Sequence, residues 1–214
     1  MDALVDNDIL FKEACYDILG QLIAPGSTDS GQFGVLGAAR YVVSRKIRRA
    51  ELRGSAGRVL DQLRSFLSHA KALEPTSEEL NLAITLELSA QRAGLGLHEG
   101  ESQLCSILVI RSIARLLTGD KRAITAIESL VDMVPGIMPI CGRVQCLEQL
   151  VLNMVADGDP TILRSNICAE PLVDTALSVC FSCASPSVSS ICITEGLVSY
   201  IKDLRREAVR VLAP

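Results

Sequence analysis

The chain has 214 residues, 49% of them apolar and 21% charged, with a formal net charge of −4. That is enough for one α/β domain with a proper core, or a domain plus an appendage. The negative charge excludes a wholesale basic nucleic-acid binder but leaves room for a local basic face. Only 3% of residues are aromatic and Trp is absent, so Leu, Ile, Val and Ala must build the core. No stretch reaches the roughly 18 apolar residues of a membrane span. The most apolar one, residues 104–117, is interrupted by Arg111 and Arg115. Eight Cys with no secretory leader ahead of them point to a reducing cytoplasm and free thiols.

In chain order, residues 2–6 read as a short apolar strand. Asp8 can then cap a helix over residues 9–23, whose Ile9, Leu10, Ala14, Ile18, Leu19 and Leu22 recur at helical spacing. Residues 25–31 form a loop rich in Gly, Ser and Pro. A strand at 33–36 leads to a basic helix over 38–50, a helix over 55–70 and a strand at 71–74. Thr76 with Glu79 three residues on predicts a capping box and a helix to about 93. Gly94 and Gly96 break it, and an apolar helix runs on to about 111. A buried strand at 113–117, a helix over 121–131 and a last strand at 143–146 complete the alternation. Beyond it only helices are expected, over 147–156, 160–182 with a break at Glu170-Pro171, and 188–212. Alternation of this kind predicts a mostly parallel sheet covered on both faces, with residues 1–150 as one domain and 151–214 as a helical extension.

Open parallel sheets carry their functional groups at the carboxyl ends of the strands. Asp6 and Asp120 both follow apolar strand-like runs, so both belong on that edge. Glu101 opens the helix that leads into the strand ending at Asp120. Carboxylates converging in one cleft repel one another unless a cation neutralises them. Hard oxygen ligands suit Mg²⁺ or Mn²⁺.

Three motifs resemble those of the PIN-domain nucleases, the family that includes the VapC-type toxins. Leu4-Val5-Asp6-Asn7-Asp8 is similar to the opening strand, with Asp6 at the first catalytic acid. Gly100-Glu101 is similar to the acidic pair that opens a buried helix, and Leu117-Thr118-Gly119-Asp120 to the final acidic strand end. The resemblance covers about residues 1–150. It implies a three-layer α/β/α sandwich and Mg²⁺- or Mn²⁺-dependent RNA cleavage, with Asp6, Glu101 and Asp120 as ligands and Asp8 as a ligand or water-orienting base. A protein partner such as an antitoxin, and a homodimer, are further expectations. The family's second acid has no counterpart in residues 37–45, which hold no Asp or Glu.

Arg40, Arg45, Lys46, Arg48 and Arg49 form a basic stretch, and Lys121 and Arg122 flank the last acid. These are the candidate phosphate contacts, against the alternative of a solvated helix face. Asp6-Asn7-Asp8 also matches the Asp-x-Asp of haloacid-dehalogenase-like phosphatases, with Asp6 as nucleophile. That family expects Thr or Val where Leu10 stands and a second Asp where Ile124 stands. A third alternative is an interaction module that keeps the fold and not the chemistry. The Cys180-Phe181-Ser182-Cys183 pair has no second pair to complete a zinc site, and packing thiols are the expected state.

Overall fold

The computed structural model describes residues 1–23 and 32–214. The loop expected at 25–31 lies outside the described residues. Among the described residues the strands are β1 (Ala3–Val5), β2 (Phe33–Leu36), β3 (Lys71–Leu73), β4 (Arg115–Thr118) and β5 (Val144–Cys146), in the spatial order β3-β2-β1-β4-β5. Every pair is parallel. The chain thus builds outward from β1 through β2 to β3, then crosses back to β4 and β5. The order reverses between β1 and β4, where Ala3 stands beside Arg115 and Val5 beside Leu117.

Pleating divides each strand between two cores. Ala3, Val5, Val35 and Leu117 face one side; Leu4, Leu36, Leu116 and Val144 face the other. The first core is closed by α1 (Asn7–Cys15), α2 (Ala39–Arg49) and α3 (Ala56–His69), and the second by α4 (Ser77–Ala93), α5 (Glu99–Ile110) and α6 (Lys121–Met133). The result is the expected three-layer α/β/α sandwich. Because both faces are covered, the strands read as continuous apolar runs rather than alternating ones.

The helices that follow are α7 (Leu147–Asp157), α8 (Pro160–Ala169), α9 (Thr175–Cys180) and α10 (Ser190–Glu207). The boundary expected at residue 150 falls inside α7, whose Leu147, Leu150, Val151 and Val155 all enter the first core. Leu163, Ile167, Leu177 and Phe181 join that core too. Each such side chain stabilises the fold by about 1.5–3 kcal/mol when fully buried. α10 spans both layers: Ile193 and Leu197 pack in the first core, Ile201 and Leu204 in the second.

Three expectations need correction. The helix predicted over 9–23 ends at Cys15. Asp17 takes φ 58°, and the Ile18 N–H donates back to the Glu13 carbonyl at 3.0 Å, closing a Schellman-type turn. Residues Leu19–Ile23 then form a 3₁₀ turn. The fourth strand begins at Arg115 rather than Ile113, because Ser112 at φ 52° terminates α5 in the same way, with the Ile113 N–H returning to Leu108. The thiols are not all free: Cys168 on α8 is bonded to Cys183, their Cα atoms 5.0 Å apart, and Cys180 stays a buried free thiol.

Candidate functional site

Asp6 immediately follows β1, and Thr118 ends β4, so both lie at the topological switch point on the carboxyl edge of the sheet, where open α/β sheets bind ligands. Asp6 is the N-cap of α1. Its Oδ1 accepts from the Asn7 N–H at 2.7 Å, and its Oδ2 accepts from the Thr118 hydroxyl at 3.1 Å. The Thr118 oxygen in turn accepts from the Asp120 N–H at 3.3 Å. Asp120 is the N-cap of α6, accepting from the N–H groups of Arg122 at 2.9 Å and Ala123 at 3.3 Å. Glu101, in the first turn of α5, accepts from the His98 N–H at 2.9 Å. A Cβ on Gly100 would stand 3.9 Å from Asn7 Nδ2 and 4.0 Å from Leu36 Cδ1, so the start of α5 lies over the ends of β1 and β2. Three helix N-termini therefore meet at one edge. Each receives a carboxylate where its dipole favours negative charge.

That compensation does not satisfy Asp6. It is 3% exposed, and its pKa is raised to about 6 by burial first, then by the charges of Glu101 and Asp8, against the lowering effect of Asn7 and Thr118. Asp8 stands differently. Burial would raise it, but Lys12 at 2.6 Å and Lys46 at 2.9 Å outweigh burial and hold it below the usual carboxylate range. Lys12 also reaches Asp174 at 2.8 Å, the N-cap of α9. Burial alone would lower the Lys12 ammonium; Asp8 and Asp174 raise it well above its ordinary value. This cluster presses on the loop after β4: a Cβ on Gly119 would lie 2.5 Å from Asp8 Oδ2 and 3.3 Å from Lys12 Nζ, so only Gly fits there without movement.

The structure thus brings Asp6, Glu101 and Asp8 within electrostatic reach of one another. Asp120 stands at the rim, paired with Arg122 at 3.2 Å. Arg122 is held above its ordinary value by Asp120 first, then by Glu101 and Asp8, so its exposed guanidinium overlooks the same cleft. Among the described residues no group of three or more His, Cys, Asp or Glu side chains is arranged to hold a metal ion. The donors that remain, Asp6 and Glu101, are hard oxygens. Two carboxylates completed by water and phosphate are a coordination Mg²⁺ commonly takes. Asp6 and Glu101 are the hard-oxygen side chains that would hold such an ion.

Of the candidate phosphate contacts, Arg40, Arg45, Arg48 and Arg49 are exposed on α2 and have no ion pair among the described residues. Lys46 is tied to Asp8 and lies 4.3 Å above the Phe11 ring. Lys121 turns away from the cleft, 2.5 Å from buried Glu148 and 4.6 Å above the Tyr200 ring, and so anchors α6 to the C-terminal helices. The sequence reading missed Lys12, Asp174 and Glu148. Lys12 is recoverable from its i,i+4 spacing to Asp8; the other two carry no local signal. Leu10 and Ile124, at the two positions where the phosphatase pattern needs other residues, are wholly buried in the two cores.

Among the described residues no helix is long and apolar enough to cross a membrane. In comparisons with known proteins, no family model matches the chain and no curated protein matches it.

Proposed function

We propose that the chain is a PIN-type, Mg²⁺- or Mn²⁺-dependent endoribonuclease that works at the crevice between β1 and β4. The observation that carries this reading is the arrangement around Asp6: a buried carboxylate at the switch point, beside Glu101 and Asp8, with its pKa raised to about 6. Such a group is destabilised as it stands and gains from a cation. Asp6 and Glu101 would hold the ion, which when bound supplies a lowered water pKa and charge stabilisation at phosphorus. Thr118 orients Asp6 through its hydroxyl. Arg122, exposed above the cleft, contacts the scissile phosphate, and its guanidinium donates to Asp120 at 3.2 and 3.4 Å. Asp8, neutralised by Lys12 and Lys46, shapes the floor of the crevice and does not serve as a ligand.

The test is cleavage of single-stranded RNA by the purified chain with Mn²⁺ or with EDTA, alongside Asp6→Asn and Glu101→Gln. Cleavage that needs Mn²⁺ and is lost in both variants is expected. Cleavage that persists in EDTA or in Asp6→Asn would refute the reading. A second reading, an interaction module without chemistry, is favoured by one observation: Asp8 is already neutralised by two lysines and α2 offers no acid. Inertness in every arm, with no Mn²⁺-dependent change in melting temperature, supports that second reading.

A further inference from the structure

A cavity of about 570 Å³ opens at the carboxyl end of β2, on the same edge of the sheet as the acidic crevice. It is lined by the end of β2 (Leu36, Gly37), the first turn of α2 (Arg40, Tyr41) and α3 (Arg64, Ser68). Leu36, at the carboxyl end of β2, lines it, and on the other face of the sheet its Cδ1 would stand 4.0 Å from a Cβ on Gly100, one residue from Glu101. Tyr41 is 74% exposed, far more than a packing aromatic, and lines the cavity together with Arg40 and Arg64. Arg40 has no ion pair among the described residues, and Arg64 is shared only with Asp61 at 2.7 Å, an exposed pair. The Glu74 carboxylate lies against Gly37 and makes the β3 side of the rim acidic, which confines an anion to the α2–α3 side.

The opposite flank of α2 bounds a second hollow, of about 510 Å³, lined by Phe11, Val42, Arg45, Lys46 and Arg49. Lys46 joins this hollow to Asp8. α2 therefore carries cations along both flanks, from the cavity to the crevice, in eleven residues that include no acid.

We infer that this cavity is a nucleotide subsite for single-stranded RNA, in which the base of a residue flanking the scissile phosphate stacks on Tyr41 and its phosphates meet Arg40 and Arg64. The inference rests on the proposed activity for the identity of the strand, and extends it by naming the form of RNA taken. The volume is in the range of small-ligand pockets, about 300–1,000 Å³. A cationic track with an exposed aromatic suits an unpaired strand, whose bases can be splayed out and stacked. A duplex keeps its bases in the stack and cannot fill the cavity.

The experiment measures binding by fluorescence anisotropy in EDTA, where no cleavage is needed, with a labelled oligouridylate and a fully paired RNA stem. The full chain binds the single strand more tightly than the duplex. Tyr41→Ala weakens the single strand by about five- to a hundred-fold and leaves the duplex unchanged, whereas Tyr41→Phe restores binding. Arg40→Gln and Arg64→Gln each reduce the slope of log affinity against log salt by about 0.7, one lost phosphate contact on a single strand. All three side chains are exposed, so their replacement spares the fold, which circular dichroism verifies. Equal affinity for strand and duplex, or an unchanged Tyr41→Ala, overturns the subsite. Selective strand binding without Mn²⁺-dependent cleavage leaves the subsite standing and removes the nuclease reading. Cleavage with an indifferent Tyr41 does the reverse.

Discussion

Glu13 offers the sharpest test of the energetics. It sits in α1 with no exposed surface, and neither carboxyl oxygen has a hydrogen-bond partner among the described residues. Burial raises its pKa from 4.5 to about 8. The folded chain therefore keeps this carboxyl protonated at neutral pH, while the unfolded chain releases the proton above 4.5. The folded pKa is the higher one, so the contribution to stability is complete below the unfolded value and is lost as pH rises toward the folded value. Each pH unit in that window costs about 1.4 kcal/mol, so about 3 kcal/mol is lost between roughly pH 5 and pH 7.5. Glu13→Gln keeps the volume and abolishes the titration. Guanidinium unfolding of both proteins across this range measures the difference in stability at each pH, in which other titrating groups such as Asp6 cancel. The variant should gain on the wild type by about 3 kcal/mol over the window, a large share of the 5–15 kcal/mol typical of a domain. A stability difference that stays flat with pH would refute the argument that the Glu13 site is dry and unpartnered.

Four further substitutions have expected outcomes. Asp6→Asn removes a carboxylate whose pKa rises from 3.8 to about 6 on folding, so above about pH 6 the variant is more stable by roughly 3 kcal/mol. In the same thermal melts, Mn²⁺ raises the melting temperature of the wild type and leaves Asp6→Asn unmoved. Cys168→Ala opens a cross-link between residues 15 apart in sequence, and chemical denaturation should report a loss of about 3 kcal/mol. Gly119→Ala forces Asp8 and Lys12 apart from a new Cβ, costing about 1–3 kcal/mol by the same measurement. Asp174→Ala removes the cap from α9 and the second partner of Lys12; about 1 kcal/mol of cap stabilisation goes with it, and backbone amide exchange should quicken in α9 before it does in the sheet.

The sheet was legible because its central strands β1 and β4 are short apolar runs ending at the polar residues Asp6 and Thr118, and a parallel sheet buried on both faces demands such runs. Asp6, Glu101 and Asp120 could be placed at one edge for the same reason. Their local roles were harder to read. A carboxylate at a strand end serves equally as a helix cap, and only the fold shows that Asp6 is crowded by Glu101 and Asp8 while Asp120 is turned toward Arg122. The end of α1 was missed because a left-handed Asp17 closes it, where Gly would have announced the turn. The Cys168–Cys183 bond was missed because the cysteines were read as free packing thiols, and a pairing between residues 15 apart carries no local signal. The chain reversal after α8 decides instead which sulfur atoms meet.

The last residues of the chain return to the sheet. The Val144 N–H donates to the Val211 carbonyl at 3.0 Å, the Ala213 N–H donates to the Val144 carbonyl at 2.7 Å, and Gln149 holds the Ala213 carbonyl at 2.8 Å. Arg210 anchors this segment between Glu128 and Asp132. The backbone groups that β5 would otherwise present to solvent are thereby occupied. A bare parallel edge is a template for strand addition by another chain. On this side the protein shields itself with its own terminal segment; on the other, β3 is three residues long, begins with Lys71 and is followed within two residues by Pro75, so the lateral growth of the sheet is blocked at both ends by different chemistry.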